Sequence, residues 1–153
     1  MTGPASRLAE LGLALPAVAA PLGAYVPAVR SGAQVYVSGQ LPLADGQLLA
    51  SGKVGAEVAP ERATELAARC ALNALAAVDA LVGLDRVVRV VRLTGYVASA
   101  PGFTGQPAVL NGASDLFFAV FGEAGRHARS AVGVAELPLD APVEIEVIVE
   151  VSG

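Results

Sequence analysis

The sequence predicts a single α+β domain in which two helices pack on one face of a mixed β-sheet. Three observations support this prediction: the chain has 153 residues, 54% of them are hydrophobic and 16% are charged, and helical and strand-like periodicities alternate along it. A chain of this length buries about 70% of its unfolded surface, which suffices for one core without metals or disulfides. Because few charges are available to cover the exterior, we expect part of the apolar surface to be buried between subunits.

The first part of the chain predicts a short helix, an extended arm, a hairpin and a long helix. Residues 4–12 have the apolar spacing of a helix, and the prolines that follow predict an extended arm. In residues 25–39, β-branched and aromatic residues on both sides of a Ser-Gly pair predict a β-hairpin. Residues 41–55 are rich in Gly and Pro and predict a loop with one short strand. Pro60 then begins the longest helix, which Gly83 ends.

The second part predicts three strands and one more helix. Residues 86–99 are apolar on both faces, which is typical of a strand at the centre of a sheet. Residues 107–122 predict the second long helix, and the last two strands are expected at 129–137 and 143–151. A Pro-containing turn at 138–142 joins these two strands. The order hairpin, helix, strand, helix, two strands favours an α+β domain with both helices on one face.

The last two strands have the clearest alternation of side chains. In residues 143–151 the odd positions are all Val or Ile and predict a buried face, and the other face is Glu144, Glu146, Ile148 and Glu150. In residues 129–137 the buried face is assigned to Val132 and Val134. The face beside the glutamates is then expected to consist of Arg129, Ala131, Gly133 and Ala135. We expect these small side chains to leave space for a ligand or for another subunit.

Arg129 and Glu144 are the candidate functional pair of this face. The guanidinium has a fixed charge and a planar fork that suits a substrate carboxylate. The carboxylate can hold a water or transfer a proton. The same pattern also fits a plain ion pair at a subunit interface, so both interpretations stay open from the pattern alone.

Other side chains give weaker evidence of chemistry. A zinc site needs several ligands at workable spacing, and one histidine with one cysteine does not supply them, so no metal site is predicted. His127, near a helix end, and Cys70, on an apolar helix face, are predicted to be structural. Lys53 lies in a polar loop without the apolar setting that activates a Schiff-base lysine.

Charge and composition also bear on partners and location. The formal net charge is −4 and the basic residues are dispersed among acidic and apolar ones, which disfavours nucleic acid as a partner. Residues 11–29 lack charge, but prolines interrupt them, so no membrane span is predicted. A signal peptide is the alternative for this stretch, although Glu10 disfavours it. The single cysteine fits a reducing, cytoplasmic location.

Two segments resemble the opening and closing motifs of a known family. They are Tyr25 to Leu43, YVPAVRSGAQVYVSGQLPL, and His127 to Val151, HARSAVGVAELPLDAPVEIEVIVEV. The family is the YjgF/Rid family of reactive imine and enamine deaminases, also called the L-PSP endoribonuclease-like family. The resemblance covers about residues 22–151 and divides the chain into an amino-terminal extension, residues 1–21, and one domain, residues 22–153.

The resemblance implies a chorismate-mutase-like fold and a homotrimer with active sites in clefts between adjacent subunits. By motif position, Arg129 matches the arginine that binds the substrate carboxylate, and Glu144 matches the glutamate associated with the attacking water. Tyr25 and Gly39 match residues that line the cleft. The implied reaction is hydrolysis of a 2-imino acid, or of its enamine, to a 2-keto acid and ammonium, without a metal or an organic cofactor.

Ala131 is a departure from the family pattern, which has a cysteine two residues after the arginine. The change removes a polar wall and is expected to enlarge or re-specify the substrate pocket that Ala131 lines. Two other functions stay open. One is a trimeric module that binds a small carboxylic acid without turnover, and the other is the ribonuclease activity of the family's older name, which the acidic charge balance disfavours.

Overall fold

Residues 2–153, described by a computed structural model, form three α-helices and seven β-strands. The helices are α1 (Pro4–Glu10), α2 (Pro60–Val82) and α3 (Gln106–Phe121). The strands are β1 (Ala28–Ser31), β2 (Gln34–Gln40), β3 (Leu43–Ala44), β4 (Gln47–Leu48), β5 (Val87–Ala98), β6 (Ala128–Val134) and β7 (Val143–Val151). Short 3₁₀ turns follow α2, α3 and β6, at Leu84–Arg86, Gly122–Gly125 and Pro138–Asp140. The predicted α+β class is confirmed.

Five of these strands form one sheet in the order β1-β2-β7-β5-β6. All neighbours are antiparallel except β5 and β6, which are parallel. β3 and β4 form a separate small hairpin. The long helices contact each other and pack on the sheet, α2 against β2 and β7 and α3 against β5 and β6. This is the predicted two-layer arrangement, and β5 has the expected inner position.

The core lies between the sheet and the two long helices. The odd positions of β7 are all buried, which confirms the predicted buried face: Val143, Ile145, Val147, Val149 and Val151. Half of the buried residues of α2 are alanines, whose small side chains let the helix lie close to the sheet. α3 crosses α2 so closely that a Cβ at Gly112 would overlap the carbonyl oxygen of Thr64. The crossing of the two helices therefore requires glycine at this position.

α1 anchors the amino-terminal arm on the helical layer. Leu8 is buried in the core, and Arg7 Nε donates a hydrogen bond to the Ala119 carbonyl at 2.9 Å. The backbone N–H of Ala5 donates to Asp85 Oδ1 at 3.2 Å. The arm is therefore held against the body of the domain before it reaches the sheet.

The two strands that close the chain are not neighbours, which corrects the sequence prediction. β5 lies between β6 and β7. β6 pairs with β5 in parallel, with Leu93 opposite Arg129 and Tyr96 opposite Val132. The reason is the α3 crossover, because a helix between β5 and β6 returns the chain in the same direction along the sheet. β6 is therefore an edge strand.

The two faces of β6 are also the reverse of those predicted. Leu93 is fully buried beneath the helices, and its partner Arg129 therefore faces the helical layer. Val132 is 42% exposed on the opposite face, which carries the glutamates. The sequence analysis was wrong about the faces of Arg129, Ala131, Val132, Gly133 and Val134, and Ala135 lies beyond the end of the strand.

The small residues of β6 accommodate the close approach of α3. A Cβ at Gly133 would lie 2.7 Å from Gln106 Nε2 and 3.1 Å from Ser99 Oγ. On the neighbouring strand, a Cβ at Gly95 would overlap the side chain of Leu110. The sequence prediction for β6 was wrong because a short strand of mixed small and branched residues does not specify its own register. A one-residue change of register moves every side chain to the other face.

Candidate active site

The first part of the candidate site surrounds Glu144, near the start of β7. β2 bulges between Val37 and Gln40, where its register with β7 shifts. Gly39 lies in this bulge, and the Glu144 carboxylate occupies the space that a Cβ at position 39 would need. Only glycine allows the carboxylate to lie against the β2 backbone in this way. The fold thus brings together two predicted site residues, Gly39 and Glu144, from distant motifs.

Glu144 is half-buried and has no ion-pair partner among residues 2–153. Burial raises the pKa of this carboxyl above its ordinary value, and the negative charge of Glu146 raises it further. Glu146 itself accepts a hydrogen bond from the Tyr96 hydroxyl at 2.8 Å, and this bond raises the pKa of Tyr96. Glu144 is therefore a stronger base than an exposed glutamate, and its oxygens are open to a water.

Tyr25 lies beside Gly39 at the end of the amino-terminal arm. Its hydroxyl accepts a hydrogen bond from the backbone N–H of Leu22 at 3.1 Å. Tyr25 and Gly39 line the same small pocket, together with the end of the arm. Residues 14–20 of the arm also line a larger cavity of about 620 Å³, which includes Arg69. The arm is therefore a wall of the Glu144 part of the candidate site.

The second part of the candidate site surrounds Arg129, under α3 at the sheet edge. Its Nη1 donates hydrogen bonds to Asn111 Oδ1 at 2.8 Å and to Ser114 Oγ at 3.1 Å. Asn111 and Ser114 have an i,i+3 spacing, which places them on the same side of α3. No carboxylate among residues 2–153 forms an ion pair with Arg129. The guanidinium is held in place with N–H groups left for an anionic ligand.

His127 lies beside Arg129 and is hydrogen-bonded through both ring nitrogens. Nε2 is 3.0 Å from Ser114 Oγ, and Nδ1 is 2.6 Å from the Gly125 carbonyl oxygen. The ring of Phe117 meets the imidazole edge to face, with the ring centroids 5.8 Å apart. Burial lowers the pKa of His127 and the charge of Arg129 lowers it further, against the opposing effect of the Gly125 carbonyl. These contacts favour the neutral imidazole.

The two parts of the candidate site do not meet within one chain. Arg129 lies on edge strand β6 and faces the helices, whereas Glu144 lies on β7 and faces the other way. β5 separates the two strands, so their backbones are about 9–10 Å apart before the side chains diverge to opposite faces. An ion pair between Arg129 and Glu144 is absent from residues 2–153. Arg129 and Glu144 can act on one ligand only if different subunits supply them.

Ala131 and Cys70 complete the set of residues singled out by sequence. Ala131 follows Arg129 on the same face of β6 and packs against the core, so it belongs to the Arg129 part. Cys70 is fully buried, and burial, followed by the charge of Glu144, raises its pKa well above the ordinary value. Cys70 is thus a core thiol, as predicted.

Sequence reasoning missed Asn111 and Ser114, which hold the Arg129 guanidinium. The available signal was a polar pair at i,i+3 spacing on α3, a helix whose other residues are mostly apolar. Such a pair, with an arginine predicted on the next strand, indicates a polar contact between the helix and that strand.

Residues 5–151 match the family described as "YjgF/chorismate mutase-like, putative endoribonuclease". The chain belongs to this family. The match includes every residue of both parts of the candidate site, and it confirms the resemblance that the two motifs indicated. The chorismate-mutase-like fold is confirmed with it.

Related proteins differ in how much their names say about activity. The chain is 49% identical to Protein TCP17 of Trypanosoma cruzi over 150 residues, which cover 97% of this chain and 94% of that protein. It is 34% identical to the 2-iminobutanoate/2-iminopropanoate deaminase of Escherichia coli strain K12 over 129 residues, 84% of this chain and 88% of the relative. The crystal structure of Atu1372 from Agrobacterium tumefaciens, a protein of unknown function, superposes with a TM-score of 0.90 at 47% identity, covering 97% of this chain and 92% of that one.

Residues 2–153 contain neither a cluster of metal ligands nor a membrane-spanning helix. Within residues 2–153, no group of three or more His, Cys, Asp or Glu side chains is arranged to hold a metal ion. Over the same range, no helix has the length and apolar character needed to cross a membrane.

Proposed function

We propose that the protein is a hydrolytic deaminase of 2-imino acids and their enamines, and that it acts as a homotrimer with sites between subunits. One observation carries the proposal: Arg129 is fixed by Asn111 and Ser114, yet has no carboxylate partner among residues 2–153. A fixed, unpaired guanidinium suits a small carboxylate ligand. The Escherichia coli relative is named for two such substrates, 2-iminobutanoate and 2-iminopropanoate.

Glu144 supplies the second requirement, a base for the attacking water. Its carboxylate is half-buried against Gly39 and carries a raised pKa, which strengthens it as a proton acceptor. Tyr25 and the end of the amino-terminal arm line a small pocket together with Gly39, against which Glu144 lies. A hydrolase needs both the carboxylate-binding arginine and this base, whereas a simple binding module needs only the arginine.

The uncovered face of the sheet supports assembly into a trimer. On this face Val29 is 51%, Tyr36 is 45% and Val132 is 42% exposed, although the helices cover the other face. A row of exposed apolar side chains across a sheet normally packs against a second layer. Other copies of the chain can provide that layer, and in doing so they bring the β6 edge of one copy to the Glu144 face of the next.

The reaction then follows from the two parts of the site. Arg129 binds the substrate carboxylate and fixes the imine carbon near a water that contacts Glu144. As the water adds to that carbon, one of its protons passes to Glu144 and from Glu144 to the imine nitrogen, giving a carbinolamine. Glu144 then takes the carbinolamine hydroxyl proton and delivers it to the amino nitrogen as the carbon–nitrogen bond breaks, so that ammonia leaves, the 2-keto acid remains and Glu144 is again a carboxylate. Positioning of the reactants supplies much of the acceleration.

The direct test measures ammonia and 2-keto acid released from freshly generated 2-iminobutanoate and 2-iminopropanoate. We expect the wild-type protein to accelerate release above the spontaneous rate. Arg129→Ala should lower kcat/KM on the order of 100-fold, because the substrate loses its orienting contact. Glu144→Gln should lower kcat by at least about 100-fold, because the base is lost.

Two variants that change the same residue types at other positions are the matched controls. Arg62→Gln removes an arginine whose ion pair with Glu65 lies on the exposed side of α2. Glu150→Gln removes a glutamate from the same strand and face as Glu144. Both should retain the wild-type rate. If the assembled wild-type protein binds a small carboxylic acid through Arg129 but does not accelerate release, the deaminase proposal is wrong and a binding module is the better explanation.

A further inference from the structure

Ser114, His127 and Gly125 form a hydrogen-bonded series in which the deamination proposal gives His127 no role and uses Ser114 only as a hydrogen-bond acceptor for Arg129. Ser114 Oγ is 3.0 Å from His127 Nε2, and His127 Nδ1 is 2.6 Å from the Gly125 carbonyl oxygen. A hydroxyl next to an imidazole that a third group orients is the arrangement of an activated nucleophile. Here the third group is a backbone carbonyl.

The direction of each hydrogen bond follows from the chemistry of the partners. A carbonyl oxygen can only accept, so His127 Nδ1 carries the proton and donates it to Gly125. In the neutral ring Nε2 then has a free lone pair, which accepts the Ser114 hydroxyl. The neutral ring is favoured because burial lowers the pKa of His127. Ser114 is therefore positioned to give its proton to Nε2.

The backbone around the imidazole fixes this geometry. Gly125 is buried against the end of α3, where a Cβ would overlap the carbonyl of Phe117. The same Phe117 presents its ring to the imidazole edge to face. The carbonyl that orients Nδ1 thus belongs to the 3₁₀ turn packed against α3, and the ring that packs on the imidazole belongs to α3 itself, so both groups position His127 beside Ser114.

Ser114 is also open to a ligand that carries negative charge. It lines a cavity of about 390 Å³ at the surface together with Arg126, His127 and Arg129, and the wall also includes Asp115. Arg129 Nη1 donates to Ser114 Oγ at 3.1 Å, which favours a developing negative charge on that oxygen. The other guanidinium N–H groups of Arg129 are available to a carboxylate.

We propose that Ser114 and His127 are a nucleophile and base pair that hydrolyses acyl esters bearing a carboxylate, an activity separate from deamination. Ser114 Oγ forms a bond to the ester carbonyl carbon as its proton moves to His127 Nε2. The bond to the alkoxide leaving group breaks and the alkoxide takes that proton, which leaves an acyl-serine. Water then attacks the acyl carbon, gives a proton to Nε2 and releases the acid, and the proton returns to Ser114.

The test uses a fluorophosphonate probe and the full-length protein, with peptide mass spectrometry to locate the label. The serine oxygen bonds to phosphorus, fluoride leaves, and the proton passes to His127. We expect the label on Ser114 and its loss in Ser114→Ala. His127→Gln keeps a hydrogen-bonding side chain without a base and should slow labelling on the order of 100-fold. The labelling rate should rise with pH until His127 is neutral, at a midpoint below that of an ordinary histidine.

Ser130 is a matched control within the same protein. Arg92 Nη2 donates to Ser130 Oγ at 2.7 Å, so this serine also contacts an arginine, but its hydroxyl has no histidine partner. We expect Ser130 to stay unlabelled. An equal extent of label on Ser114 and Ser130 would show general hydroxyl reactivity and would overturn the proposal.

Substrate preference is tested with two esters of similar chain length. The mono-4-nitrophenyl ester of adipic acid carries a carboxylate, and 4-nitrophenyl hexanoate does not. We expect the charged ester to be preferred in kcat/KM and the preference to disappear in Arg129→Gln. Absence of label on Ser114, or label that persists unchanged in His127→Gln, refutes the pair as a nucleophile. Because no imine is used, this failure would leave the deaminase proposal intact, and a failed deaminase assay would leave the labelling result intact.

Discussion

Arg129 and Glu144 lie on opposite faces of the sheet, on strands that β5 separates. Each is left without an ionic partner among residues 2–153, and each is held in a defined place, Arg129 by Asn111 and Glu144 against Gly39. A single chain therefore contains two separate parts of a site. Their separation makes the dependence of activity on assembly directly measurable.

Mixing two inactive variants should restore activity if the site is shared between subunits. Arg129→Ala and Glu144→Gln each damage every site in their own homotrimers. When the two are unfolded, mixed in equal amounts and refolded, about a quarter of the interfaces combine an intact arginine with an intact glutamate, because each part is intact with even odds. Deaminase activity of the mixture should rise to about that fraction of wild type.

The control for this experiment is each variant refolded alone, which should stay inactive. If the mixture is no more active than the two separate samples, while mixed trimers are detected by native mass spectrometry, the shared site is excluded. Activity that survives in monomer isolated at low concentration would exclude it as well.

Glu144→Gln should stabilise the protein at neutral pH while it removes activity. The pKa of Glu144 is raised above the ordinary value of 4.5 in the folded chain, by burial and then by Glu146. The folded state therefore binds this proton more tightly than the unfolded state, and the free energy of unfolding rises as the pH falls through the raised value towards 4.5. Urea unfolding at several pH values should show this rise in wild type and not in the variant.

Glu150→Gln, on the same strand and face, is the comparison for that experiment because it also removes a carboxylate. If Glu144→Gln is less stable than wild type at neutral pH, the carboxylate is better solvated than its burial indicates. The proposal that Glu144 is an activated base would then lose its electrostatic support.

The imidazole of His127 should titrate below the ordinary histidine value of 6.5. Burial disfavours the imidazolium and the Arg129 charge disfavours it further, so the free energy of unfolding should fall as the pH falls from 6.5 towards the lowered value. Because the sequence has one histidine, its ring signals in NMR spectra need no assignment. The nitrogen shifts should also show the proton on Nδ1 in the neutral form.

Chain unfolded in urea gives the reference titration for this measurement. Ser114→Ala should move the Nε2 shift, because it removes the hydroxyl 3.0 Å away. A midpoint at or above the reference, or a neutral ring protonated on Nε2, would contradict the hydrogen-bond directions inferred for Ser114, His127 and Gly125.

Gly112→Ala should destabilise the fold by about 1–3 kcal/mol, as overpacking of a tight core does. The new methyl group would overlap the carbonyl oxygen of Thr64, which is backbone and cannot rotate away. Alanine in an open helical position would instead stabilise by about 0.5–1 kcal/mol relative to glycine. The free energy of unfolding, measured with urea, should therefore decrease in Gly112→Ala if α2 and α3 are in contact at this crossing and increase if they are not.

Sequence alone predicted the parts of the fold in which local periodicity and burial agree. The alternation of β7 identified its buried face because five branched residues share it: Val143, Ile145, Val147, Val149 and Val151. The limits of α2 followed from Pro60 and Gly83, which begin and end the helix for local reasons. Glu144 was a candidate from the alternation of β7 and Gly39 came from the resemblance, and the β2 bulge brings the two together.

The position of β6 could not be predicted in the same way. Its pairing depends on the crossover through α3, which is a long-range property of the chain. Position 133 has little room for a side chain because Gln106 and Ser99 lie close to it. This contact cannot be predicted before the position of α3 is known. The same is true of Ser114, whose contacts with Arg129 and His127 join a helix to the strand that follows it.

The residues of the Arg129 part of the candidate site lie close together in the sequence, because only a short segment separates α3 from β6. Asn111, Ser114, His127 and Arg129 all fall within one short stretch, from the middle of α3 to the start of β6. The Glu144 part instead draws on two distant segments of the chain, one with Tyr25 and Gly39 and the other β7. Under the proposed function, mutations confined to one stretch can change the acid that Arg129 binds while the Glu144 part stays the same. Proteins that descend from a common ancestor can therefore come to bind new ligands through mutations in this stretch alone, without a coordinated change elsewhere in the chain.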